Sequence, residues 1–198
     1  MCCNVQDSIP FPSKQTGKER YSEPLAADFI SLMRSAGFAY EKGIIWYKGP
    51  GTATQRLFGS FPIPGLLLIS GLTEHILLLR KPRNGYSRQI PLNIKQASEI
   101  TNKEWSKWTL DLWDIRPETS QSLGHPAPFP AAIPYRLIRM FTFIGDIVLD
   151  PFMGSGSTAY AAKISNRQYI GYEIHNEYIQ IANGRLRKTE DIFEERNV

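Results

Sequence analysis

The chain has 198 residues, with 23 Lys and Arg against 19 Asp and Glu, a formal charge of +4 and a pI near 9.1. Apolar residues make up 42% of it and charged residues 21%, with 14 Pro and 15 Gly, which fits an ordinary globular domain and excludes a collagen, a coiled coil or a wholly disordered chain. The longest apolar stretch, Pro62 to Ile69, is broken by Pro64 and Gly65 and falls far short of the roughly 20 residues of a membrane span, so no membrane association is expected.

The amino terminus, MCCNVQDSIP, has neither the basic start nor the apolar segment of a secretory signal. The cysteines, Cys2 and Cys3, are adjacent in what reads as a mobile terminus, where they can neither staple the fold nor build a zinc site. A reduced, cytoplasmic protein is expected. His75, His125 and His175 lack metal-ligand spacing, so no metal centre is expected either.

Leu25 to Ala36 is predicted to be a helix, with Pro24 near its first turn, Leu25, Phe29, Leu32 and Met33 on one face and Gly37 to end it. A strand follows at Gly43 to Tyr47. Residues 48–71 hold too many glycines and prolines for regular structure and predict a long loop before a second strand at Glu74 to Arg80. Thr101 to Glu104 has capping-box spacing for a short helix, and Leu110 to Ile115 reads as a short strand.

Charge is uneven along this part. Residues 42–108 contain ten Lys and Arg and three acids, a balance of +7, so the remainder sums to -3. Trp46, Tyr47, Phe58, Phe61, Tyr86, Trp105 and Trp108 are interleaved with those cations, as on surfaces that bind phosphates and unstacked bases. A solvated basic face with its rings in the core fits the same composition.

After Pro130, Ile133, Leu137, Ile138 and Phe141 recur at helical spacing, and Pro134 is tolerable if it lies in the first turn. Gly145 and Asp146 turn the chain into a strand at Ile147 to Leu149. A helix at Ser157 to Ile164, a strand at Gln168 to Ile174 and a helix at Asn176 to Lys188 complete a βαβ unit, which requires a parallel sheet covered by helices.

Between the first strand and helix of that unit lies DPFMGSGST, Asp150 to Thr158, and Glu173 is expected at the tip of the second strand. Gly154 and Gly156 let the backbone turn sharply and a ligand approach, and an acid at the second strand tip can accept both hydroxyls of a ribose. A P-loop is excluded because no lysine follows the second glycine. Gly154, Gly156 and Ala159 satisfy a relaxed dinucleotide fingerprint, but a carboxylate at Asp150 would repel a pyrophosphate and pair with the ammonium of an amino-acid tail, which favours S-adenosylmethionine over NAD. A βα turn without a ligand is the remaining alternative.

The run from His125 to Leu186 resembles the cofactor half of the DNA amino-methyltransferases, the adenine-N6 and cytosine-N4 class. Its His-Pro-x-x-Phe-Pro segment, Asp-Pro-Phe-x-Gly-Ser-Gly turn and Gly-x-Glu occur in the order of the subgroup with its target-handling half first. Gly43 to Tyr47, Gly59 to Phe61 and Thr73 to Lys81 resemble its middle section. The resemblance implies an α/β, Rossmann-like S-adenosylmethionine-dependent methyltransferase fold over residues 1–198, with a catalytic-motif segment at 1–24, a DNA-facing part at 25–120 and a cofactor part at 121–198. It places the methionine end of S-adenosylmethionine near Asp150, Gly154, Phe129 and Pro130, the ribose on Glu173 and the adenine against Phe152, with Pro151 and Gly156 also among the cofactor-binding residues. It also implies double-stranded DNA as partner, with transfer to an exocyclic amine and no metal.

The family's catalytic motif is Asp, Asn or Ser, two prolines and an aromatic. The nearest match is Ser8, Ile9, Pro10 and Phe11, with Ile9 replacing the first proline. Ser8, Pro10 and Phe11 are the catalytic candidates: a hydroxyl and a carbonyl to accept from the amine, and a ring to stack on a flipped base. The segment between this motif and Leu25 is short for the family, so an incomplete sheet is expected, and with it a shortened relative, a gene fragment or one subunit whose missing strands a second polypeptide supplies. An inactive DNA-binding or assembly subunit, and an NAD-dependent enzyme, are the other readings.

Overall fold

An amphipathic helix and two β-rich runs organise the first part of the chain. In the computed structural model the described residues are 1–5, 24–50, 71–82, 88–117 and 130–195, the side chains of 188–195 excepted. They divide into one unit of Met1–Ser87 with Leu110–Asp114 and another of Arg88–Thr109 with Ile115–Val198.

In the first unit, strands β1 (Cys2–Val5), β2 (Ala39–Tyr47), β3 (Thr73–Arg80) and β4 (Leu112–Asp114) form a sheet in the order β1-β3-β2-β4. β1 and β2 run antiparallel to β3, and β4 runs parallel to β2. Helix α1 (Leu25–Ser35) lays Ala26, Phe29, Ile30 and Met33 on Leu77 and Leu79 of one sheet face. Gly37, with φ +88, ends α1: its amide donates to Arg34 O, that of Phe38 reaches back to Met33 O, and the Phe38 ring joins the same core. By register Ile44, Trp46, Ile76 and Trp113 share the other face, all buried.

The cysteine-bearing terminus differs from expectation. Cys2 to Val5 form a paired strand, the terminal ammonium donates to Leu79 O at 2.8 Å, and Val5 packs on the α1 core. Cys2 to Val5, with only Val5 a strong strand former, are too few for a pattern and are held by the edge of β3. Burial pushes the Cys3 thiol up, which keeps it protonated and unreactive.

In the second unit, β5 (Ile147–Asp150) and β6 (Gln168–Gly171) pair in parallel, and α5 (Ser157–Ile164) is the crossover between them. Helix α4 (Ala132–Phe141) carries Pro134 in its first turn and packs Ile138 with Ala161 and Ala162 of α5, against Val148. Its Tyr135 ring meets Trp108 edge-on at 6.1 Å. α6 (Asn176–Glu195) follows β6, with buried Ala182 and Leu186. Short helices α2 (Leu92–Ala97) and α3 (Asn102–Trp108) precede them; α2 had no readable signal, whereas α3 has both bonds of the expected capping box. Buried Arg167 donates to Thr142 O at 2.7 Å and to Ser165 O, tying the ends of α4 and α5 together.

Among the described residues the parallel sheet is incomplete, as expected. Val148 faces the helices, while Ile147, Leu149 and Ile170 are exposed, an unusual state for a parallel pair, whose faces are both normally covered.

Candidate functional site

The turn after β5 is built by its own acids. Asp150 Oδ1 accepts from Phe152 N at 3.0 Å, folding Pro151 and Phe152 outward. Tyr172 N donates to Asp150 O and Met153 N to Tyr172 O, each at 2.9 Å, so the loop is sewn to the chain leaving β6. Gly154 follows with φ +52, and its amide donates to Glu173 Oε2 at 2.9 Å.

Glu173 lies two residues beyond β6 rather than within the predicted strand. The chain leaves the ladder at Gly171 because Glu173 turns back, its Oε1 accepting from His175 N at 2.8 Å. The amide of His175, then those of Gly154 and Ile174, hold this carboxylate below its usual range. One acid thus fixes the glycine turn and the strand exit together, and it keeps acceptor capacity for a further donor. Asp150 Oδ2 has no hydrogen-bond partner among the described residues.

The two glycines do different work. Gly154 gives its amide to the acid. Gly156 has φ +79, and a Cβ there would meet Ala182 Cβ at 2.9 Å, so its small size lets α6 pack on the start of α5. At Gly171 a Cβ would collide with the Met153 thioether. Gly156 caps α5 without a side-chain bond, and Ser157, the first residue of the helix, accepts from Arg185 Nη1 at 3.0 Å. That guanidinium lies 4.8 Å from the Tyr160 ring centroid.

Phe152 is 88% exposed beside Asp150, and Ile174 is 91% exposed next to Glu173, so each acid has an apolar neighbour bare to solvent. Ile174 and Met153 were not singled out from sequence; the usable signal for Ile174 was an apolar residue directly after a strand-tip acid. Pro130 is buried, and its carbonyl accepts from Ile133 N at 3.1 Å to start α4. The structure therefore brings Asp150, Pro151, Phe152, Gly154, Gly156 and Glu173 to one turn. Ser8, Pro10, Phe11, Phe129 and His125 lie outside the described residues.

Among the described residues no group of three His, Cys, Asp or Glu could hold a metal, and no helix is long and apolar enough to cross a membrane. Of the rings in the basic stretch, Trp46 and Trp108 are core residues and Trp105 is exposed; Phe58, Phe61 and Tyr86 lie outside the described residues.

A strand, an acid-bounded glycine turn, a crossover helix and a second acid at the next strand exit define a Rossmann-like βαβ half. The family model of the N6/N4 DNA methylases matches residues 3–184, and the chain belongs to that family. It is 37% identical over 181 residues to the type II methyltransferase M.MjaI of Methanocaldococcus jannaschii, covering 87% of this chain and 56% of that protein. To M.MthZI of Methanothermobacter thermautotrophicus it is 30% identical, covering 89% of this chain and 52% of that one. The Thermus thermophilus protein TTHA0409, solved in complex with S-adenosyl-L-methionine, superposes with a TM-score of 0.75 at 30% identity over 95% of this chain and 68% of its own. The chain thus spans about half the length of these two curated relatives.

Proposed function

We propose that this chain binds S-adenosylmethionine at the turn after β5 and takes part in methylating an exocyclic amine, adenine N6 or cytosine N4, in duplex DNA. The observation that carries the reading is the pair of carboxylates around the Gly154 turn. Asp150 keeps an oxygen for a cation, and Glu173 keeps acceptor capacity for a ribose hydroxyl. Two acids facing one turn disfavour a pyrophosphate. The exposed Phe152 and Ile174 supply apolar surface for a flat heterocycle. An ammonium, a ribose and an adenine are the groups this donor set fits, and S-adenosylmethionine carries all three. When bound, that cofactor supplies a methyl group activated by its sulfonium.

The chain's own residues then have separate tasks. Asp150 orients the amino-acid end, Glu173 fixes the ribose, and Phe129 and Pro130 flank the methionine moiety. The Ser8 hydroxyl and a carbonyl beside Pro10 accept hydrogen bonds from the target amine, leaving its lone pair directed at the methyl, while Phe11 stacks on the flipped base. The exposed apolar face of β5 and β6 favours an active assembly in which another polypeptide segment covers it.

The test is transfer of tritiated methyl from S-adenosylmethionine to mixed-sequence DNA, followed by digestion to nucleosides. Labelled N6-methyladenine or N4-methylcytosine is expected from the chain alone or with the products of adjacent genes. Label on neither base under either condition would defeat the enzymatic reading. Ile9 in place of the motif's first proline favours a second reading, a subunit that binds cofactor and DNA without turnover, and methylation by the purified chain alone would eliminate it.

A further inference from the structure

The four tryptophans divide sharply. Trp46, Trp108 and Trp113 are 3%, 7% and 1% exposed, whereas Trp105 is 57% exposed on α3. Burying a large apolar side chain is favourable, so an indole left in water on a helix that already has a buried anchor calls for a reason. That anchor is Trp108, seated edge-on against Tyr135, and it fixes which side of α3 faces outward.

The helix is also held at its start. Thr101 Oγ1 accepts from Glu104 N at 3.2 Å, and Glu104 Oε2 accepts from Thr101 N at 2.8 Å. The Arg139 guanidinium donates to Glu99 O at 2.7 Å, pinning the loop before α3 to α4. Trp105 is therefore presented on a rigid element, three residues after Asn102, one before Ser106 and four before Thr109.

The surroundings are polar and basic. Lys103 and Lys107 on α3 and Lys95 on α2 have no ion pair among the described residues, and the exposed Asn102 amide has no hydrogen-bond partner among them. Of the two acids of residues 88–109, Glu104 is engaged in the capping box, while Glu99 is exposed. Arg88 is already paired with Asp146 at 2.6 Å. An exposed indole beside an amide and unpaired ammonium groups matches a nucleic acid, with its flat bases and regular anions, better than an apolar protein surface.

We propose that α3 is a DNA-contacting helix in which Trp105 stacks on a base exposed where the duplex opens and Lys103 and Lys107 engage phosphates. This rests on the reading of DNA as substrate. It goes further by assigning the contact to one helix and dividing the labour between a ring that holds bases and amines that hold the backbone.

The test uses the full chain and a fluorescein-labelled duplex of mixed sequence, with affinity measured by anisotropy across a salt series. Trp105→Ala is expected to weaken binding about 5- to 100-fold at fixed salt with the salt slope unchanged. Lys103→Ala is expected to lower the slope of log affinity against log salt by about 1, with Trp105→Phe near wild type. Acrylamide should quench mainly Trp105, and DNA should protect it. S-adenosylmethionine affinity unchanged in Trp105→Ala reports an intact second unit. Wild-type affinity in Trp105→Ala, or quenching indifferent to DNA, overturns the assignment while leaving the methylase reading in place. No DNA binding by the wild type overturns both, and loss of self-association in Trp105→Ala without loss of DNA affinity assigns the surface to a protein contact instead.

Discussion

Glu173 shows how much one carboxylate can organise. Its two oxygens join the amides of Gly154 and His175, so substitution acts on the shape of the turn as well as on any ligand. Glu173→Gln offers only one acceptor oxygen, and S-adenosylmethionine affinity is expected to fall about tenfold or more, read by calorimetry. The sign of the pH effect follows from the lowered pKa. The ionised form is favoured in the fold, so its contribution is complete at neutral pH and is lost only as pH falls through a value below the usual carboxylate pKa, about 4. Affinity should stay flat between about pH 8 and 5, and a fall centred near neutrality would exclude Glu173 as the group responsible. Gly156 gives a separate prediction. Gly156→Ala meets both a positive φ and Ala182, and is expected to destabilise the chain by about 1 to 3 kcal/mol in urea unfolding. Adding Ala182→Gly should recover part of that loss, since it removes the closest contact and leaves the Ala182 Cα at 3.3 Å and the backbone strain.

At the scale of elements, α3 and β1 mark the two extremes of what sequence can tell. The capping box of α3 was legible because its chemistry is local, two side chains and two amides within one turn. Thr101→Ala should cost about 1 kcal/mol and raise acrylamide quenching of Trp108 as the helix frays. The βα turn was legible for the same reason: an acid and two glycines declare the bend wherever the rest of the chain lies. β1 was illegible because Cys2 to Val5 become a strand only when β3 offers its edge, a partner about seventy residues away. α2 begins at Pro91 with no side-chain cap and no buried residue, so neither period nor cap announced it. The packing demand on Gly156 was illegible for the same kind of reason. The neighbour that demands a small residue there, Ala182, comes from a helix whose packing no local pattern reveals.

At the scale of the whole molecule, family membership and the reading of the acid-bounded turn rest on different observations. The match over residues 3–184 gives the family, and the geometry of Asp150, Gly154 and Glu173 supports the chemistry proposed for the turn. The open face of β5 and β6 has its own consequence: Ile147→Lys with Leu149→Lys should raise solubility and leave the circular dichroism spectrum unchanged, because neither side chain belongs to the helix-facing core. The central claim, a sulfonium nucleoside held by the two acids, is tested most directly by isothermal titration of S-adenosylmethionine into the full chain. Saturable heat is predicted for the wild type, abolished in Asp150→Ala and absent when NAD is titrated. A folded wild-type chain that gives no heat with millimolar S-adenosylmethionine, or an Asp150→Ala variant that binds like the wild type, would contradict it.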